Sequence, residues 1–219
     1  MRNYKNLSVI GTSHIAKESI LEVKHKILEI KPDIVALELD AIRFHALLYN
    51  KKSRGNLKDL NEIGFKGFLF NLIGGYIQKK LGEIVNVKPG SEMKQAIASA
   101  KEVKADIALI DQDVRITLKN LSKSFPLKEK LMFLAEIIKS IFTRKKISID
   151  LTKVPDKKLV KKLTAKLKDD YPSLYKSLID DRNKVMAENL YNLMQSNKNI
   201  IAIVGIGHED EVIEIIKKR

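Results

Sequence analysis

Apolar residues return along this chain with two different periods. Leu7 to Ile10 is a short continuous apolar run closed by Gly11, whereas Ile20, Val23, Ile27 and Ile30 recur at intervals of three and four, the spacing of one helix face. Thr12 and Ser13 between them offer N-caps, so the pattern predicts a strand, a tight turn and a helix that Pro32 stops. Ile34 to Leu39 reads as a second buried strand, opening at Asp40 into a helix over Ala41 to Leu48. After a basic connection from Lys51 to Leu57, Leu60 to Leu81 has helical spacing broken at Gly74-Gly75. Pro89-Gly90 marks a turn, Ser91 offers a cap, and Met93, Ala96, Ile97 and Ala100 form the apolar face of the next helix. Asp106 to Ile110 is the third buried strand. Val114 to Gln195 is helical in pattern, with breaks near Phe125-Pro126, 148–155 and Tyr171-Pro172. Ile200 to Val204 is the last strand and Asp210 to Lys217 the last helix.

Strands separated by helices imply an α/β fold with a mainly parallel central sheet flanked by helices. The length of 219 residues suits a single domain over 1–219. Its helical insertions are expected at about 44–88 and 120–196, the second as a largely helical cap. No short tandem repeat is present, but one unit occurs twice: apolar strand, Gly, two residues, His, helix. It stands as VIGTSH at Val9 to His14 and as IVGIGH at Ile203 to His208.

Composition narrows the chemistry. With 44% hydrophobic and 31% charged residues the chain can bury a substantial core. The absence of Cys excludes disulfides, Cys-zinc sites and thiol nucleophiles, so any metal must be held by His and carboxylates. The first residues lack the apolar core of a signal peptide, and Gly67 to Ile77, the longest weakly charged apolar stretch, is far short of the roughly 20 residues that cross a bilayer. The expectation is a cytoplasmic protein that meets a membrane only if the native chain continues beyond Arg219. The net charge of +14 sits largely in local runs that read as solvated helix faces and loops. Without a recognition motif or aromatic platform, no specific nucleic acid is expected as a partner.

In open parallel sheets ligands bind beyond the carboxyl ends of the strands, where His14 and His208 both fall. Gly11 and Gly205 allow sharp turns and close backbone approach there. Imidazole is the commonest metal ligand and a usual general base. If both turns follow parallel strands, the first and last strands should be neighbours, with His14 and His208 sharing a ligand. His25 and His45 sit in helical patterns without such a turn and read as structural. Glu38, near the exit of an apolar strand, is a charge that needs a partner or a metal. Arg43, one helical turn on, could pair with it or bind a substrate carboxylate. Glu92 stands in a helix's first turn, Asp111 and Asp113 flank the end of the third strand, and Asp181-Arg182 begins the helix before the last strand.

In order along the chain, GTSHIAKESILEVKHKILEIKPDIVALELDAIRF, VKPGSEMKQAIASAKEVKADIALIDQDVRITL, DDRNKVMAENL and IIAIVGIGH resemble the blocks of the TraB family. The wider group of that family includes the Tiki proteases, the erythromycin esterases and the ChaN haem-binding proteins. The resemblance implies an α/β fold of the erythromycin-esterase and ChaN kind with a His and carboxylate cluster. It also implies a divalent-metal-dependent hydrolase, of peptidase type, or a pheromone-shutdown role on a peptide. The positions carried over are Gly11, His14, Glu38, Arg43, Glu92, Asp111, Asp113, Arg182, Gly205 and His208. On this reading His14, Glu38 and His208 hold Mn²⁺, Co²⁺ or Zn²⁺, while Glu92 is a further ligand or the general base. Arg43 or Arg182 steadies an oxyanion or a substrate carboxylate, and Gly11, Asp111, Asp113 and Gly205 support the site. Gln112 stands where the family usually has Arg, and Asp181 and Asn183 replace its more usual Glu and Asp. The partner is a peptide, with association of identical copies left open. The alternative is a non-catalytic protein that captures a peptide or a haem-like ligand in the same cleft.

Overall fold

The structure, a computed structural model, describes residues 1–12, 17–49, 90–129, 131–132 and 157–219. The strands are β1 (Arg2–Tyr4), β2 (Leu7–Thr12), β3 (Ile34–Leu37), β4 (Asp106–Leu109) and β5 (Ile200–Gly205). The helices are α1 (Lys17–Ile30), α2 (Ala41–Leu48), α3 (Ser91–Glu102), α4 (Val114–Ser124), α5 (Lys157–Asp170), α6 (Pro172–Tyr175), α7 (Asp181–Met194) and α8 (Glu209–Lys217). A π-helical segment, Lys176–Asp180, joins α6 to α7. The expected α/β class is what the chain forms. The Lys51 to Leu57 connection, the helical pattern over Leu60 to Leu81 and the break at 148–155 lie outside the described residues, as does nearly all of the insertion expected at 44–88.

The sheet order is β1-β2-β5-β3-β4, with β1 antiparallel to β2 and the remaining pairs parallel. The last strand therefore sits at the centre, directly beside β2, as the doubled turn predicts. Side-chain alternation sends Leu7, Val9, Ile34, Ala36, Ile200, Ala202 and Val204 to one face, where Met186, Ala187 and Leu190 of α7 and Val212, Ile213 and Ile216 of α8 cover them. The opposite face carries Ile10, Val35, Leu37, Ile201 and Ile203 against Val23 and Ile27 of α1 and Met93, Ala96, Ile97 and Ala100 of α3. Strands buried on both faces explain why the sequence shows continuous apolar runs and not alternation. Within the 120–196 stretch, α7 is thus a layer on the sheet. Leu121 of α4, Tyr171 and Leu174 form a separate small apolar cluster.

Two local expectations change. β1 is an additional strand: Arg-Asn-Tyr is too short and too polar to give an apolar signal, and it joins as an edge by pairing with β2, with only Tyr4 against the core. Ser91 is the first residue of α3 and not its cap. Gly90 takes the N-cap position at φ 81°, where a side chain would also meet Leu47 Cδ1 at 3.0 Å.

Gly11 answers to close approach. A Cβ there would lie 2.7 Å from Glu209 Oε2 and 3.1 Å from Ile206 Cα, because the start of α8 presses onto the end of β2. Glu209 is 1% exposed and has little room to withdraw. Gly11→Ala should therefore lower stability by about 1–3 kcal/mol, the cost of overpacking a filled site. Urea unfolding reads this as a lower midpoint with an unchanged slope, and a midpoint equal to the parent's would refute the steric argument.

Candidate functional site at the carboxyl edge of the sheet

Four parallel strands end along one edge in the order β2, β5, β3, β4, and each leads to a residue with chemistry. β3 runs into Glu38, β4 reaches Asp111 just beyond Ile110, and β5 runs through Gly205 to His208. β2 leads toward His14, which lies outside the described residues together with Ser13. Thr12 pairs with Gly205, and Ile206 N–H donates to Thr12 O at 2.9 Å, so the chain two residues before His14 is bound to the turn that carries His208.

Glu38 is 4% exposed. Its N–H prolongs the parallel ladder by donating to Ile203 O at 3.1 Å, while its carboxylate turns back and caps the next strand: Gly205 N–H donates to Oε2 at 2.5 Å. Oε1 accepts from Arg182 Nη2. A buried acid is tolerable here because both oxygens meet donors, one of them charged.

Asp111 is the junction of the cluster. Oδ1 accepts from Gln112 N–H at 2.7 Å and from Arg182 Nε at 3.0 Å. Oδ2 accepts from Arg182 Nη2 at 2.6 Å and from Arg43 Nη2. The four bonds fill a carboxylate's lone-pair sites, and the side chain is fully buried. Arg43 in turn donates from Nε to Asp40 Oδ2 at 2.6 Å, and Asp40 caps α2 by accepting from Arg43 N–H at 2.9 Å. Asp40 Oδ2 also accepts from Val114 N–H at 3.3 Å, tying the start of α4 to that of α2. Burial works against the charge of both arginines. For Arg43 the carboxylates of Asp111 and Asp40 outweigh it, and for Arg182 those of Glu38 and Asp111 do, so both pKa values end up raised. Among the described residues the network sets the carboxylates of Glu38, Asp40 and Asp111 against the guanidiniums of Arg43 and Arg182.

His208 is the N-cap residue of α8, held in its turn by an N–H bond to Gly205 O at 2.8 Å. Its Nε2 lies 3.6 Å from Glu38 Oε1 and 3.5 Å from Arg182 Nη1. On the far side of the ring, Nδ1 is 2.5 Å from Asn183 Oδ1. Asn183 Nδ2 donates to Glu211 Oε2 at 2.5 Å, and the Tyr175 hydroxyl donates to Glu211 Oε1 at 2.8 Å. Arg182 also donates from Nη1 to Leu178 O at 3.1 Å, a carbonyl of the π-helical segment that precedes it.

The structure thus brings Glu38, Arg43, Asp111, Arg182, Gly205 and His208 into one network. Arg43 does not pair with Glu38: the partner of Glu38 is Arg182, 144 residues away, and Arg43 turns to Asp40 and Asp111. Asp113 is a helix cap, accepting from Arg115 N–H at 2.8 Å; the Arg115 side chain, against a smaller effect of burial, holds its carboxyl below the usual range. Glu92 is buried in the first turn of α3, where the helix dipole favours an acid. His25 is an exposed partner of Glu29 and His45 stacks on Tyr49, both as structural residues. Tyr175 and Glu211 carry no functional sign in the sequence, and Asp40 carries only that of a helix start. The only sign of Glu211 was its place one helical turn after His208, and Asn183 stood out only beside Arg182. Among the described residues, which omit His14, no group of three His, Asp or Glu side chains is set to hold a metal ion.

The sheet is mostly parallel with a buried ion network at its carboxyl edge, and the protein is of the α/β class. A sequence model of the TraB/PrgY/gumN family matches residues 2–219, and the chain belongs to that family. It is 36% identical over 223 residues to "Uncharacterized protein MJ1365" of Methanocaldococcus jannaschii, covering 99% of this chain and 54% of that protein. It is 22% identical over 241 residues to a TraB domain-containing protein of Bos taurus, covering 91% of this chain and 59% of that protein. The corresponding human protein is 21% identical over 235 residues, with 91% and 60% covered. The chain therefore spans little more than half the length of these relatives. Among the described residues no helix is long and apolar enough to cross a membrane.

Two measurements probe the network. Arg182→Ala would leave Glu38 and Asp111 buried with one cation fewer, and should cost about 3–5 kcal/mol, the range for breaking a buried pair. Arg115→Ala, which removes an exposed partner of Asp113, should cost less than about 1 kcal/mol. Equal losses in denaturant unfolding would show that the network contributes nothing special. The second concerns Tyr175, whose hydroxyl is pushed from 10 up to about 12 by burial and then by Glu211. The folded state holds this proton more tightly, so the contribution is complete below about pH 10 and is lost as pH rises toward about 12. Between about pH 9 and about pH 11 the parent should lose more stability than Tyr175→Phe, and equal losses would contradict this.

Proposed function

We propose that the carboxyl edge of the sheet is the centre of a divalent-metal-dependent hydrolase of peptidase type, with His208, Glu38 and His14 as ligands. The observation that carries this reading is the approach of His208 Nε2 to Glu38 Oε1, 3.6 Å apart on adjacent strand ends. Two donors about 2.1 Å from one tetrahedral ion stand about 3.4 Å apart, so the pair is spaced to share an ion. His14 enters as third ligand because β2 pairs with β5 up to Thr12 and Gly205. Arg182 bonds the same Glu38 oxygen, but its two bonds to Asp111 would keep it paired if it released Glu38.

When bound, such an ion supplies Lewis acidity toward a water and a scissile carbonyl. The chain's own residues do the rest. Gly205 N–H and Arg182 hold and orient the Glu38 carboxylate, and Asn183 holds the His208 ring. Arg43 retains 35% side-chain exposure, against 16% for Arg182, and is the better placed to meet a substrate carboxylate. Glu92 is the acid–base group of this reading, on the resemblance to the family.

Calorimetric titration with Mn²⁺, Co²⁺ and Zn²⁺ should show a site that His14→Ala, His208→Ala and Glu38→Gln each weaken at least about tenfold. His25→Ala should leave it unchanged, with circular dichroism confirming the fold throughout. Metal-dependent cleavage within a broad peptide library should disappear in the same three variants. Variants that bind metal like the parent would remove the reading, and metal binding without any cleavage would turn it into one of ligand capture.

A further inference from the structure

The polar groups behind His208 form a chain with one consistent arrangement of hydrogens. Glu211 accepts at both oxygens, from the Tyr175 hydroxyl at 2.8 Å and from Asn183 Nδ2 at 2.5 Å. The carboxylate therefore dictates which way the Asn183 amide faces, because the opposite orientation would press two acceptor oxygens together. With its NH2 group on Glu211, Asn183 presents Oδ1 to His208 Nδ1 at 2.5 Å. A carbonyl oxygen cannot donate, so Nδ1 must carry the proton. In a neutral imidazole this leaves Nε2 with its lone pair. On the other side of the ring Nε2 lies 3.5 Å from Arg182 Nη1, a donor, and 3.6 Å from Glu38 Oε1, an acceptor, so it is the Asn183 side that fixes where the proton sits. Asn183 and Tyr175 are buried with Glu211 between them, so each polar atom of the relay has a protein partner.

We infer that Tyr175, Glu211 and Asn183 are positioning residues that hold the His208 proton on Nδ1, so that the neutral ring keeps its lone pair on Nε2. An imidazole free in water prefers the opposite tautomer, with the proton on Nε2, so the lock reverses the intrinsic preference. The use of that lone pair as a metal ligand rests on the reading proposed above, whereas the tautomer does not. Positions 183 and 211 become determinants of electrophile binding without touching the electrophile.

The test is the ¹⁵N spectrum of the metal-free protein, labelled in histidine and recorded at about pH 9, where an imidazole of ordinary pKa near 6.5 is neutral. The four histidines are assigned by substitution. The parent's His208 should show a pyrrole-like Nδ1 and a pyridine-like Nε2, the reverse of free histidine in the same buffer. Asn183→Leu removes the acceptor and should exchange the two signals. Glu211→Gln lets the amide of Asn183 face either way and should move Nε2 part of the way toward the pyrrole-like position. The double variant Asn183→Asp with Glu211→Gln moves the carboxylate by one place. The new glutamine amide then donates to the new aspartate, which accepts from Nδ1–H, and the parent's pattern should return. A parent His208 with its proton on Nε2 would overturn the inference, as would a Glu211→Gln protein whose His208 signals match the parent's. Should Asn183→Leu fail to fold, the Glu211→Gln protein and the double variant still decide. A correct tautomer in a protein that binds no metal would leave the lock standing and remove the metal reading alone.

Discussion

The Asp111 carboxylate is buried at the end of β4 and shared between two arginines from different helices, and most of the carboxyl edge is organised around satisfying it. Taking an ion of that size out of water costs several kcal/mol, which is recovered only where geometry and further hydrogen bonds are good. The fold meets that demand from both sides. α2 supplies Arg43 from its first turn, set by the Asp40 cap, and α7 supplies Arg182 from its own first turn, immediately after the π-helical segment. Because Arg182 reaches Glu38 as well, the same interaction ties β3 to β4 and α7, and Gly205 N–H extends it to β5.

The order β2-β5-β3-β4 explains why these groups meet. The chain's last strand inserts between its first two long ones, so turns from residue 11 to residue 208 open on one edge. Helix N-termini gather there too: α2, α4 and α8 begin within the same network, and their free N–H groups favour anionic side chains. Glu209, Asp210 and Glu211 crowd the first turn of α8. One of the three is recruited behind His208, and another fills the space that Gly11 leaves.

Two kinds of support hold the centre, and they differ in chemistry. Asp111 with its arginines is an ionic scaffold that fixes where Glu38 stands. Tyr175, Glu211 and Asn183 form a hydrogen-bond chain that fixes how His208 presents itself. Arg182 and Asn183, adjacent in sequence at the start of α7, serve one support each. Asn at 183 presents an oxygen toward Nδ1 and a donor toward Glu211, so this residue fits both neighbours.

Local pattern was enough to find most of the elements. Apolar spacing marked β2, β3, β4, β5 and the helices α1, α2, α3 and α8 because burial acts on each residue according to the face it occupies. The doubled Gly-x-x-His and the acid at Glu38 pointed to the carboxyl edge for the same reason: glycine at a strand end and a charge in an apolar run are locally costly and so conspicuous. β1 escaped because an exposed edge strand pairs through groups that every residue carries. The partners of the charged groups escaped because attraction between ions has no sequence period. Nothing near Glu38 announces Arg182, 144 residues on, and nothing near His208 announces that Glu211 sets its tautomer through a residue on another helix. The sequence by itself determined the strands, the helices and the kind of chemistry at their ends. Tertiary structure alone decided which charges meet, because that depends on which strand ends are neighbours, and neighbours are chosen by packing the whole sheet.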